Sequence, residues 1–117
     1  MSKTQSQRGR ASRAKGQRGE REFATFMQQH GIEARRGQQF SGSTDSPDVV
    51  HSIPGVHLEI KRTEKLSLWD ALAQAEKDAG PDKVPIVMHR KNHKPWVAIM
   101  DAGTLLEFLK GKLHDCC

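Results

Sequence analysis

The apolar positions first fall into register at Phe23. Phe23, Phe26, Met27 and His30 follow i, i+3, i+4, i+7, the spacing of one helical face. This predicts a helix that begins near Gly16 and stops at Gly31, a residue suited to a helix C-terminus. Residues 32–36, IEARR, then suit a short strand, and residues 37–47, GQQFSGSTDSP, read as a polar loop. Two runs, 48–53 and 56–62, flank Pro54-Gly55 and predict an antiparallel hairpin. Leu68, Ala71, Leu72 and Ala75 return to helical spacing, with Ser67 and Asp70 as a capping-box pair and Gly80-Pro81 as the stop. Residues 84–89 and 95–100 form a strand pair joined through RKNHK. A last helix runs from Asp101 or Ala102 to Lys112 on Leu105, Leu106, Phe108 and Leu109. The order α-β-β-β-α-β-β-α predicts an α/β fold with a mixed central β-sheet flanked by helices. Trp69 and Trp96 read as anchors of the core or of a dimer interface.

Three charges break this pattern. Asp48 opens the first hairpin strand, and Glu59 and Lys61 sit inside the second, VHLEIKR. Charge inside a core-like strand is costly unless something compensates it. Strand alternation puts Val56, Leu58 and Ile60 on one face and His57, Glu59 and Lys61 on the other. A short antiparallel hairpin brings Asp48 to the same end as Glu59 and Lys61. Two carboxylates beside a lysine suit a hard divalent cation such as Mg²⁺, which takes one or two carboxylates and completes its shell with water and phosphate oxygens. The competing reading is an ion pair of Glu59 with Lys61 on a solvated sheet face. His57 reads as a packing residue away from the site.

Charge distribution adds a partner. Lys3, Arg8, Arg10, Arg13, Lys15 and Arg18 face no acidic residue in the first 18 positions, so the net charge of +5 originates there. A stretch so poor in apolar side chains cannot build a core. Residues 1–15 are therefore expected as a flexible basic arm, with Arg13, Lys15 and Arg18 neutralising phosphates. Residues 16–117 form one small domain. The hairpin tip with His89, Arg90, Lys91, His93 and Lys94 is a second candidate for backbone contact. No apolar run is long enough to span a bilayer and no signal-peptide core follows the basic stretch, which implies a cytoplasmic protein. Cys116 and Cys117, adjacent at the end of the chain, suit reduced thiols.

Pro47-Asp48 followed by Glu59-Ile60-Lys61 resembles the PD-(D/E)XK nuclease superfamily. Upstream, KGQRGEREF (15–23), HGIEARR (30–36) and SGS (41–43) are similar to the start of archaeal-type Holliday junction resolvases. The resemblance implies a restriction-endonuclease-like fold. It also implies metal ligation by Glu20, Asp48 and Glu59, a catalytic Lys61, Arg36 near the scissile phosphate, and a loop serine at Ser41 or Ser43. Glu20 borders the apolar stripe through Phe23 and Met27, whereas Glu22 faces solvent. The alternative role of Glu20 is to stabilise the helix dipole. Gln74, beside Ala71 and Ala75, matches a glutamine that touches a metal-bound water or phosphate in some superfamily members; otherwise it is a polar boundary residue.

The expected activity is Mg²⁺-dependent hydrolysis of phosphodiester bonds in four-way DNA junctions, with Mn²⁺ able to substitute. Symmetry of the junction implies a homodimer. The compact size fits a virus- or phage-encoded enzyme acting in its host. The alternatives are a related nuclease for duplex ends, flaps or nicks, and a basic DNA-binding module without catalysis.

Overall fold

The computed structural model describes residues 5–37 and 49–115, with side chains from 16 to 37 and from 49 to 111. Its elements run α1 (Gln5–Gln29), β1 (Ala34–Arg36), β2 (Val49–His51), β3 (Val56–Arg62), α2 (Leu68–Ala79), β4 (Val84–Arg90), β5 (Val97–Ile99) and α3 (Ala102–Asp115). The order matches the expected α-β-β-β-α-β-β-α, and the architecture is mixed α/β.

Helix α1 starts at Gln5, well before the apolar stripe begins. The backbone from Gln5 to Lys15, expected as a flexible arm, is therefore helical. A helix already nucleated downstream extends at low cost, because each further residue adds one hydrogen bond. Phe23, Ala24 and Met27 are buried against Val49, Leu58 and Ile60. Gly19 permits the close crossing of α1 over β3, since a Cβ there would lie 2.6 Å from the Cβ of Arg62.

The expected hairpin pairing is replaced by another arrangement. Strand β2 pairs antiparallel with β1, in the register Ala34↔His51 and Arg36↔Val49. Strand β3 instead runs parallel to β4, from Val56↔Val84 to Arg62↔Arg90. Among the described residues no ladder joins β2 to β3. The turn at Pro54-Gly55 is present, with Gly55 at φ 74°, but the backbone around it is already committed. Ser52 N–H donates to the Glu33 carbonyl, and the Gly55 carbonyl accepts from Val84 N–H. Strand β3 is also buried on both faces, as strands of parallel sheets are. Helix α2 makes the crossover that a parallel pair requires.

Strand β4 is central in the three-stranded sheet β3-β4-β5, and β5 returns antiparallel to it, as expected. A second core cluster lies under α2, where Ala71 and Ala75 meet Val87. Small side chains let this helix sit close to the sheet. Ser67 is its N-cap but makes no side-chain cap hydrogen bond; its hydroxyl donates to Asp70 Oδ2 at 2.7 Å. The reciprocal capping box is thus not formed. Asp101 caps α3 instead, accepting from the backbone N–H and the hydroxyl of Thr104.

Two aromatic expectations separate. Trp96 packs edge-on against Phe23, with ring centroids 4.8 Å apart. Trp69 is 79% exposed and is no core residue. Leu106 and Phe108 of α3 are likewise more than half exposed. No helix among the described residues is long and apolar enough to cross a membrane.

Candidate active site

The alternation of β3 sorts its side chains as expected, but both faces are covered. Leu58 and Ile60 meet α1, while Glu59 lies beside Val87 in register and so faces α2. Glu59 is 3% exposed and His57 is 6% exposed. A carboxylate this deep needs a partner, and it has one: His57 Nε2 lies 3.1 Å from Glu59 Oε2. The solvated Glu59–Lys61 ion pair is therefore overturned. Glu59 pairs with its buried neighbour two residues back. His57, expected away from the site, is in direct contact with it.

Helix α2 completes this cluster. Asp78 places a carboxylate oxygen so that the ligand atoms of His57, Glu59 and Asp78 all lie within 4.8 Å of one another. Gln74 donates from Nε2 to Asp78 Oδ1 at 2.9 Å. Gln74 thus holds a side chain of the cluster, and it also lines a pocket of ≈ 310 Å³ with Lys61, Thr63, Lys65, Ser67 and Asp70. Sequence reasoning missed Asp78, although its signal was present. Ala71, Gln74, Ala75 and Asp78 follow i, i+3, i+4, i+7, so the face that carried Gln74 continues to Asp78.

Glu20 and Arg36 form a separate pair. Arg36 Nη1 lies 4.0 Å from Glu20 Oε2, and the Glu20 side chain is only 16% exposed. Glu20 therefore turns toward the sheet, as the stripe suggested. Arg36 is the register partner of Val49, the residue that follows Asp48. Asp48, Ser41 and Ser43 lie outside the described residues, as do the two cysteines and the side chains of Arg13 and Lys15. Arg18 is exposed on α1. Among the described residues the three-ligand group contains Glu59 but not Glu20.

Glu22 corrects a further expectation. It does not face solvent but clasps the ends of two strands. Its carboxylate accepts from Arg62 Nε at 3.3 Å and from Arg90 Nη1 in a very short contact. Arg62 also donates to Asn92 Oδ1, and Arg90 Nε donates to the Lys94 carbonyl. Arg90 is therefore occupied inside the molecule, and the hairpin tip leaves Lys91, His93 and Lys94 exposed for a partner. At the other end of β3, burial pushes the His51 imidazole below its ordinary pKa, helped by Lys83 and His57 and opposed by a backbone hydrogen bond at Val56. Its Nδ1 accepts from Ile53 N–H at 3.1 Å, which requires the unprotonated nitrogen.

The family model described as archaeal Holliday junction resolvase (Hjc) matches residues 11–102, well over half of the chain. No curated protein and no solved structure matches. The matched segment contains α1 from residue 11 onward, the Glu20–Arg36 pair, the buried His57–Glu59 pair, Lys61 and Asp78. On that match the chain belongs to the archaeal Holliday junction resolvase family.

Proposed function

We propose that the chain hydrolyses phosphodiester bonds of four-way DNA junctions, in a reaction that depends on a divalent metal ion. The observation that carries this reading is the buried Glu59 with Lys61 two residues further on the same strand face, in a chain of this family. A buried carboxylate joined by further carboxylate oxygens suits a hard divalent cation, and Mg²⁺, with Mn²⁺ able to substitute, is the ion the reading favours. Glu59, together with Asp48 and Glu20, would hold it. Bound there, the ion would lower the pKa of a water and offset charge on the phosphate.

The protein's own groups have distinct tasks in this reading. His57 fixes the orientation of Glu59 through the 3.1 Å contact. Lys61 donates hydrogen bonds to the attacking water or to a non-bridging phosphate oxygen, where negative charge builds. Arg36, held beside Glu20, offers a guanidinium to the phosphate. Arg13, Lys15 and Arg18 on α1, and Ser41 or Ser43 ahead of Asp48 in the chain, bind the DNA backbone. The arm and the domain boundary near residue 16 belong to the same proposal, with the arm extending α1 along the duplex.

A homodimer is part of the reading, because a junction presents symmetry-related strands. Leu105, Leu106, Phe108 and Leu109 give α3 an exposed apolar flank, and Leu105 and Phe108 line an apolar groove of ≈ 360 Å³ that also includes Phe26, Ile53 and Met100. Cover by a second copy would remove this surface from water.

The deciding experiment compares a four-way junction with linear, flap and nicked DNA at equal concentration, with and without Mg²⁺. The proposal expects junction cleavage to dominate and to need the ion. Equal rates on all substrates would point to a more general nuclease. Binding with no cleavage in Mg²⁺ or Mn²⁺ would point to a non-catalytic DNA-binding module.

A further inference from the structure

The cluster on the α2 face of β3 has a donor set that Mg²⁺ does not prefer. Two of its three ligands, His57 and Glu59, are more than nine-tenths buried, so they are held in place by packing. The third, Asp78, is exposed at the end of α2 and is steadied by Gln74. Imidazole nitrogen with carboxylate oxygen is a borderline donor set. It ranks late first-row ions above Mg²⁺, which takes oxygen and keeps its waters.

The spacing suits such an ion. With metal–ligand distances of about 2.1 Å, two ligand atoms 3.1 Å apart subtend about 95° at the metal, between the octahedral and tetrahedral values. The ligand atoms span no more than 4.8 Å. The exposed Asp78 side chain needs to move inward by roughly 1 Å to complete a three-ligand site that leaves room for water.

We propose that His57, Glu59 and Asp78 form a binding site for a borderline divalent ion of the Zn²⁺ class. Glu59 belongs to this set and to the set proposed for Mg²⁺. Occupancy by Zn²⁺ therefore withdraws Glu59 from the Mg²⁺ site and inhibits cleavage. The binding site rests on the geometry of the three side chains; only the inhibition rests on the proposed nuclease activity.

The test measures binding first and cleavage second. The full chain carrying Cys116→Ser and Cys117→Ser, which removes thiols that would also take zinc, is titrated with Zn²⁺ by calorimetry. Co²⁺ serves as a visible-absorption probe of the same site. One Zn²⁺ per chain is expected, displacing the Co²⁺ spectrum. The affinity should fall about tenfold or more in His57→Gln and in Asp78→Asn. Asp78 is exposed, so its variant keeps the test decisive if His57→Gln fails to fold. Undiminished Zn²⁺ affinity in a folded Asp78→Asn protein, or no binding by the parent up to about 1 mM, overturns the site. In cleavage assays Zn²⁺ should inhibit the Mg²⁺ reaction, and inhibition should weaken in Asp78→Asn relative to that variant's own zinc-free rate. Zinc bound as expected by a protein that cuts no DNA would refute the nuclease reading and leave this one standing. Cleavage by a protein that binds no zinc would do the reverse.

Discussion

The two faces of β3 are equally buried and chemically opposite. Toward α1 the strand presents Leu58 and Ile60 to Phe23, Ala24 and Met27. Toward α2 it presents His57 and Glu59. On the first face, burial is the source of stability, since apolar area leaves water. On the second, burial costs free energy that the His57–Glu59 contact only partly offsets. The costly face is the one to which the proposed chemistry is assigned. Substitutions on the two faces should therefore separate stability from activity.

The sharpest separation is expected at Glu59 and Lys61. Glu59→Gln and Lys61→Ala should each lower junction cleavage by about a hundredfold or more. Junction binding, read by gel shift, should change little. Glu59→Gln keeps the side-chain volume and a hydrogen-bonding group beside His57, so it should lower the melting temperature less than Leu58→Ala does. A loss of binding in parallel with cleavage would erase the distinction between the faces.

Leu58→Ala tests the opposite face. It empties a position that is 2% exposed and should cost about 2–5 kcal/mol in denaturant unfolding. The cleavage rate of the protein that remains folded should stay within a few-fold. Gly19→Ala refines the same comparison at the strand's end. The added methyl would meet Arg62 Cβ at 2.6 Å and should cost about 1–3 kcal/mol. Because Arg62 follows Lys61 directly, this variant should also shift cleavage measurably, which Leu58→Ala should not.

How far these two faces could be read in advance depends on the interaction. Period-two alternation assigned every side chain of β3 to its correct face, because it is a local property of the backbone. The helical stripe at Phe23 and Met27, the turn at Gly55 and the pair β4–β5 were legible for the same reason. The partners of β2 and β3 were not. The hairpin reading linked β2 to β3 across a short turn, whereas the partners of β2 and β3 are β1 and β4. That choice is made by non-local hydrogen bonds, such as that from Val84 N–H to the Gly55 carbonyl. The same limit explains Glu22 and Asp78. Each is a charged helix residue that a single helix leaves facing outward, and only the docked sheet supplies Arg62 and Arg90 to one and Glu59 to the other. Glu20 was reachable because it sits beside the stripe, and its contact with Arg36 agrees with that placement.

Smaller effects are expected at the rim. Glu22→Gln releases Arg62 and Arg90 from a clasp that is about one-third exposed, so the loss should be about 1 kcal/mol or less and should shrink in high salt. The smallest effect concerns His51. The fold favours its neutral form, so its folded pKa lies below the ordinary value of 6.5. Above pH 6.5 both states are neutral and stability is unaffected. As pH falls through 6.5 toward the lowered value, the unfolded chain takes up the proton first and stability declines; below the lowered value the penalty is constant. Thermal unfolding between pH 8 and pH 5 should show a shallower decline in His51→Gln than in the parent.

The crossover through α2 has a consequence for the order of events in folding. His57 and Glu59 belong to β3, and Asp78 arrives near the end of the helix that follows. They meet only when β3 has found β4 in parallel register and α2 has closed over both. Closing such a non-local unit is slower than forming a hairpin, because loop entropy is lost before the contacts are gained. During synthesis, then, the three side chains cannot act together until Arg90 has left the ribosome. The earliest moment of metal capture by them is set by the last strand residue of the crossover, not by the ligands themselves.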